Sequence, residues 1–464
     1  FIYLFNLFTY CGEFKVNFMV EKTSSLNTAN SLRLYLEAKK LIPSGVSSLK
    51  RIAGFESHPI YMKRGEGSRI EDVDGNRFID LLMGYGALIN GHRNPKIMEA
   101  LKKQLEYMTL CGAPTEIEID VAKKMRSMVP SADMVLFCNS GTEATMHAIR
   151  IARAVTGKDR IVKFEGAYHG QHDYVLFSVE PMETGLEVSP FRIPYQPGIP
   201  EEIARTVVVS PWNNPQVLEK ILKRYRNDIA AIIAEPIMGN SGVIMPEGDY
   251  LKQLKELAQK YEALLIFDEV LTGFRVAKGG AQEYFGITAD LVTYAKALGG
   301  GVPIAAVAGR RDIMEMVGPG RIGFGGTYNA NPLSLAGTSA NLEVLAENEY
   351  SAYSRLHSLG GKLMKGLAEE AEEAGVNVSV QGVGPLFQIF FTDLPKVRNY
   401  REALTADDDA YAAFHQSMLE QGVYLHPDPF ERITISTAHT QEDIDQILSA
   451  ASRAFREVKA VVGA

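Results

Sequence analysis

Residues 262–301 read EALLIFDEVLTGFRVAKGGAQEYFGITADLVTYAKALGGG. Two short apolar runs stand out in this stretch. The first, 263–267, ends in Asp268 and Glu269, and the second, 290–294, is followed at once by Lys296 and then by three glycines. Apolar runs this short, bounded by turn-forming residues, predict buried strands of an α/β sheet, whose C-terminal ends face the ligand crevice. The reading therefore brings a carboxylate and an amine to one crevice. Taken singly, each has an ordinary alternative: an Asp-Glu pair after a strand suits a turn, a metal ligand or a helix cap, and a lone lysine is usually a solvated charge.

Outward from this stretch the α/β pattern continues. Strands are predicted at 134–138, 161–165, 206–210, 229–235 and 304–310, with helices at 142–155, 248–260 and 332–346, which implies a mostly parallel sheet. Upstream, helices are predicted at 31–41, 95–108 and 117–128. Strands are predicted there at 59–63, 69–72 and 78–83, the last two joined by an Asp74-Gly75-Asn76 turn. Downstream, helices at 356–374, 407–421 and 440–459 and strands at 376–380, 386–391 and 432–436 describe a smaller α+β unit. The expected organisation is an N-terminal segment (19–90) packed with the small domain, a large domain (91–346) and a C-terminal small domain (347–464). The opening FIYLFNLFTYC is apolar but shorter than the roughly 20 residues that span a bilayer, and it lacks the basic start of a signal peptide. Residues 1–18, ahead of Met19, are read as an extension outside the fold.

Composition narrows the function. The chain has 464 residues and a net charge of −8 with no long Lys/Arg run, which excludes a nucleic-acid surface as the organising feature. Cys11, Cys111 and Cys138 are odd in number and lack metal-ligand spacing, so no metal site is expected, and a reducing, cytoplasmic setting is. No membrane partner is expected.

Further stretches carry chemistry. Asn139-Ser140-Gly141-Thr142-Glu143-Ala144 lies between a strand and a helix, where free N–H groups and the positive end of the helix dipole cradle an anion; the same residues also spell a capping box. Phe164-Glu165-Gly166-Ala167-Tyr168-His169-Gly170 follows the next strand and suits either an aromatic ring laid against a cofactor or a packed turn. Gly325-Gly326-Thr327-Tyr328-Asn329-Ala330-Asn331-Pro332 offers further N–H groups and a hydroxyl before a helix. Neither a P-loop nor a dinucleotide fingerprint is present, which disfavours nucleoside triphosphates and NAD. A phosphate cradle, a stacking aromatic, a carboxylate and a lysine in this order are what pyridoxal 5'-phosphate (PLP) chemistry requires.

Together with GVSSLKR (45–51), DVDGNRFIDL (72–81), AAIIAEPI (230–237), IFDEVLTGFR (266–275) and GGTYNANPLSLAG (325–337), these stretches resemble the class III PLP-dependent aminotransferases, and within them the glutamate-1-semialdehyde 2,1-aminomutase-like group. The resemblance runs from about residue 31 to 454. It implies fold type I, a large domain with a mostly parallel sheet plus a small α+β domain. It implies that Lys296 forms the Schiff base with PLP and shuttles a proton, that Asp268 pairs with the ring nitrogen, and that Val270 and Tyr168 press its two faces. Ser140, Gly141 and Thr142 would hold the phosphate, with Thr327 reaching in from a second subunit of a homodimer, while Glu235 and His169 shape the site. Ser48 and Arg51 match the group's Ser-x-x-Arg loop for a substrate carboxylate.

Departures fall on the substrate side. Gly84-Tyr85-Gly86 stands where the group usually has Ser-Trp-Gly, which makes Tyr85 a substrate contact of its own kind. VEPMETGLEVSPFRIPYQ (179–196) replaces a glycine- and serine-rich gating segment. His426-Pro427-Asp428-Pro429 and the following Phe430-Glu431-Arg432-Ile433-Thr434-Ile435-Ser436 also differ, and Arg432 becomes a candidate second carboxylate contact. The expectation from sequence is a true aminotransferase that moves an amino group from an α-, β- or ω-amino donor to a 2-oxo acid. The alternatives are the aminomutase itself and, in another class, a non-catalytic PLP-fold binding protein.

Overall fold

The two runs of the quoted stretch lie side by side. The computed structural model describes residues 26–52 and 58–462, so the extension expected at 1–18 lies outside them. Leu264–Asp268 pairs in parallel with Leu291–Tyr294, with Asp268 opposite Thr293. They are the centre of a seven-stranded sheet. Its spatial order is Met134–Cys138, Ala305–Gly309, Leu291–Tyr294, Leu264–Asp268, Ile229–Ala234, Arg160–Phe164 and Val207–Ser210. Ala305–Gly309 runs antiparallel to both neighbours, and the other pairings away from it are parallel. A sheet covered on both faces has no polar side to show, which is why Ile229–Ala234 is buried at every position. Each fully buried Ile there contributes about 1.5–3 kcal/mol of transfer free energy.

Helix Gly141–Thr156 packs across this sheet, and its left-handed Gly157 ends it. On the far side the helical run Pro332–Ala374 packs against Pro95–Leu105, Glu116–Met128 and the C-terminal helix Gln441–Val462. The sequence predicts two helices here. They form one run interrupted at Glu347 and at Asn348, Glu349 and Tyr350, whose φ values are 48°, 56° and 63°.

The C-terminal part is a three-stranded antiparallel sheet of Val378–Val383, Leu386–Phe391 and Ile433–Thr434, in contact with Asp408–Glu420, which packs on Gln441–Val462. The N-terminal strands Met62–Glu66, Arg69–Asp72 and Arg77–Asp80 form an antiparallel sheet whose fourth strand comes from far along the chain: Val423 and Tyr424 pair in parallel with Ile79 and Asp80. That two-residue strand, and the hairpin of Gly185–Leu186 with Ser189–Pro190, are absent from the sequence reading because two residues carry no periodicity. Among the described residues no helix is long and apolar enough to cross a membrane.

Candidate active site

The parallel register sets the first contact. Thr293, opposite Asp268, donates its hydroxyl to Asp268 Oδ1 at 3.0 Å, and Val270 N–H donates to the same oxygen at 3.1 Å. His169 Nδ1 lies 2.7 Å from Asp268 Oδ2. A carboxylate only accepts, so Nδ1 carries the proton and donates. Asp268 is thus a buried carboxylate held by three donors, and among the described residues the buried Nε2 of His169 has no partner.

Lys296 begins the loop three residues past Thr293, with a left-handed φ of 46° that a non-glycine residue keeps only where its surroundings hold it. Burial pushes its amine down to about 8, the Arg432 charge pushes the same way, and Glu431, Glu235 and Asp268 pull it back up. Among the described residues its Nζ makes no hydrogen bond or ion pair. An amine with that history keeps both protonation states populated near neutral pH.

The cradle is built at the start of helix Gly141–Thr156. Ser140 Oγ accepts from Glu143 N–H, and Glu143 Oε2 accepts from the N–H groups of Asn139 at 2.6 Å and Ser140 at 2.9 Å, a complete capping box. The box and the cradle, alternatives in the sequence, coexist. The box consumes the N–H groups on either side, and those of Gly141 and Thr142 have no partner among the described residues. They point from the positive end of a sixteen-residue helix. A Cβ on Gly141 would sit 3.1 Å from both methyl groups of Val270, so the glycine lets the cradle and Val270 close on one another. Gly170, at φ +106°, carries the Tyr168 loop over this helix start, where a Cβ would meet Thr142 Oγ1 at 2.7 Å. Gln171 N–H donates to that hydroxyl at 3.1 Å.

Glu235 ties the opposite wall. Buried after Ile229–Ala234, it accepts from Tyr168 N–H at 3.0 Å, Gly239 N–H at 3.1 Å and Asn240 Nδ2 at 2.9 Å. Burial raises its carboxyl above the ordinary range despite the nearby His169 charge. Asn240 Oδ1 then accepts from Arg432 Nη1 at 2.9 Å, and Arg432 Nη2 donates to the Tyr85 carbonyl at 3.1 Å while its guanidinium lies 5.7 Å from the Tyr85 ring centre. Burial and Glu431 push the Tyr85 phenol up to about 12, whereas the charges of Arg432, Arg51 and Lys50 draw it down. Of the two residues expected on the Ser-x-x-Arg loop, Arg51 is exposed and acts on the Tyr85 phenol through its charge, and Ser48 is exposed with no cap bond. Thr327 is exposed and distinct from the groups just described.

Lys50 is the residue that sequence reasoning missed. The sequence pattern points to the loop's serine and arginine, yet Lys50 Nζ is the group that pairs, with Glu180 at 2.7 Å, with Asp428, and with Glu431 at 4.0 Å. The signal was in the departures, since all three acids lie in segments where the chain leaves the group's pattern. Thr293 and Asn240 were missed as well; both serve the site through hydrogen bonds that only the sheet register and the turn after Glu235 reveal. Among the described residues no cluster of three His, Cys, Asp or Glu side chains is placed to hold a metal.

The residues present fit PLP. An uncommitted pair of helix-start N–H groups would suit a phosphate, a triply held carboxylate a ring nitrogen and a depressed amine an aldehyde, with Val270 and Tyr168 on the loops that bound the site. The comparisons with known proteins agree. A family model described as aminotransferase class-III matches residues 53–455. A relative from Persephonella marina named glutamate-1-semialdehyde 2,1-aminomutase is 45% identical over 92% of this chain and 99% of its own length. One of the same name from Methanothrix thermoacetophila is 44% identical over 92% and 96%. Among solved structures, an omega-transaminase from Sphaerobacter thermophilus superposes with a TM-score of 0.88 at 33% identity, covering 95% of this chain and 99% of that one. A glutamate-1-semialdehyde aminomutase from Pseudomonas aeruginosa gives 0.83 at 25% identity, covering 92% and 94%.

Proposed function

The chain belongs to the class-III aminotransferases, a PLP-dependent enzyme family, and from that premise we propose that it is a glutamate-1-semialdehyde 2,1-aminomutase, moving an amino group to the neighbouring carbon of the same substrate. The observation that carries this reading is the 45% identity to a relative of that name across nearly the whole of both chains. It reverses the order expected from sequence, where the intermolecular aminotransferase stood first.

When bound, PLP supplies an aldehyde that condenses with amines and a ring that draws electrons from the adjoining C–H bond. Every other part belongs to the chain. Gly141 and Thr142 bind the phosphate through the helix start. Asp268, fixed by Thr293, Val270 N–H and His169, holds a negative charge at the ring nitrogen and keeps it protonated. Lys296 Nζ, its amine depressed by burial and Arg432, would carry a proton between the substrate carbon that bears the nitrogen and the cofactor carbon adjoining it. Arg51 and Arg432 set a substrate carboxylate in place, an arginine fork matching its two oxygens. The grouping of Lys296 with Asp268 and Tyr168 argues against a non-catalytic binding protein.

The experiment is direct. The PLP-loaded protein, given glutamate-1-semialdehyde and no oxo acid, is expected to form 5-aminolevulinate. The aminotransferase reading retains one specific support: the buried Arg432, foreign to the group's usual motif, with the 0.88 superposition on an omega-transaminase. It takes over if no 5-aminolevulinate forms while β- or ω-amino acids are consumed only when pyruvate or 2-oxoglutarate is added.

A further inference from the structure

Glu431 stands between two cations. Its Oε2 is 2.5 Å from Arg432 Nη1, and its Oε1 is 4.0 Å from Lys50 Nζ. Both Glu431 and Arg432 are buried, and among the described residues Glu431 Oε2 finds no hydrogen bond of good geometry and Arg432 Nε finds no partner. Unsatisfied polar atoms on a buried ion pair mark an arrangement poised for another occupant. The backbone on which Glu431 turns is fixed, because Gln388 Nε2 donates to the carbonyls of Pro429 and Glu431. Lys50 is fixed as well. Glu180 and Asp428 hold its ammonium, His426 Nε2 donates to its carbonyl at 3.0 Å, and Tyr195 hydroxyl donates to Glu180 at 3.0 Å. Glu431 thus stands within ion-pair distance of two anchored cations at once.

We propose that Lys50 is a specificity-determining residue: it receives Glu431 when a substrate carboxylate takes Arg432, so that the site accepts a carboxylate without stranding an unpaired one. The inference rests on the amino-exchange reading of this site and names the residue that tunes its preference for carboxylate-bearing substrates. Without Lys50, Glu431 has only Arg432 to pair with, and Asp428 and Glu180 lose their common partner. The space before Tyr85 then becomes more negative by one charge, and an incoming carboxylate must both displace Glu431 and face that field. With Glu431 neutralised, Arg432 is unmasked instead. The two substitutions therefore act in opposite directions, which a purely structural role for either residue does not produce.

The test is equilibrium binding of glutarate, a five-carbon dicarboxylate with no amine to react, to the PLP-loaded enzyme by titration calorimetry. Lys50→Met is expected to weaken binding about tenfold or more, Lys50→Arg to stay within about threefold of the unchanged protein, and Glu431→Gln to tighten binding. Equal affinities for the unchanged protein and Lys50→Met overturn the proposal, as does weaker binding by Glu431→Gln, or no glutarate binding at all. Should Lys50→Met fail to fold, the sign of the Glu431→Gln effect decides alone. Binding needs no turnover, so a failed aminomutase assay leaves this result standing.

Discussion

At the scale of single residues the site turns on the protonation of Lys296. Its amine is depressed to about 8 from an ordinary 10.5, first by burial and then by Arg432. Only the neutral amine attacks an aldehyde, so PLP capture by the cofactor-free protein should speed up about tenfold per pH unit below 8 and level off above it. Growth of the visible absorption of lysine-bound PLP follows this directly, and a rate that is flat from pH 6 to 9 contradicts it. The same shift has a consequence for stability. Between about 8 and 10.5 the unfolded chain binds the proton that the folded chain has lost, so stability from this group rises with pH across that window and is lowest below it. Lys296→Ala should remove both the absorption and more than about 10³ of kcat, since the proton shuttle and the attachment point go together.

At the scale of elements, the strand ends do the positioning, and their reliability differs with how they are encoded. Leu264–Asp268, Leu291–Tyr294 and helix Gly141–Thr156 are legible because short apolar runs, a helix cap and turn residues agree with one another. The anion cradle was legible for the same reason, as Ser140 and Glu143 spell a cap whatever else they do. Lys50, Asn240 and the Val423–Tyr424 strand were not, because their partners lie far along the chain and no local spacing records them. Glu269 belongs with them. The sequence sets it beside Asp268 as though the two were a pair, but it points into the core and accepts from Ala281 N–H, Gln282 N–H and the Thr272 hydroxyl. It thereby secures the start of the short helix Gly280–Phe285 under the active-site strands, although burial pushes its carboxyl up to about 7. Glu269→Ala should strand two buried N–H groups and destabilise the protein by about 2–4 kcal/mol, read as a lowered Tm in calorimetry. Because Asp268 keeps its own three donors, PLP absorption at low temperature should survive, and its loss would mean that the two acids share one function.

At the scale of the whole molecule, the open question is whether one chain completes its own site. Asn329 is tied to the cradle, its Oδ1 accepting from Asn139 Nδ2 at 2.9 Å, yet Thr327 and Tyr328 just before it are exposed. The resemblance implies that the Thr327 hydroxyl serves a neighbouring copy, and a two-fold pair would let each copy serve the other. The expected particle in sedimentation has twice the 51.1 kDa chain mass. A mixing experiment tests the sharing itself. Lys296→Ala should be inactive, and Thr327→Ala should bind PLP weakly. When the two are unfolded together and refolded as a random mixture, half of the dimers pair one of each. In those, one site draws Lys296 and Thr327 from different chains and is whole, so about a quarter of all sites should regain full PLP affinity and turnover. If each site instead used its own Thr327, no combination would place an intact lysine beside an intact threonine, and the mixture would show no recovery beyond the average of its parts.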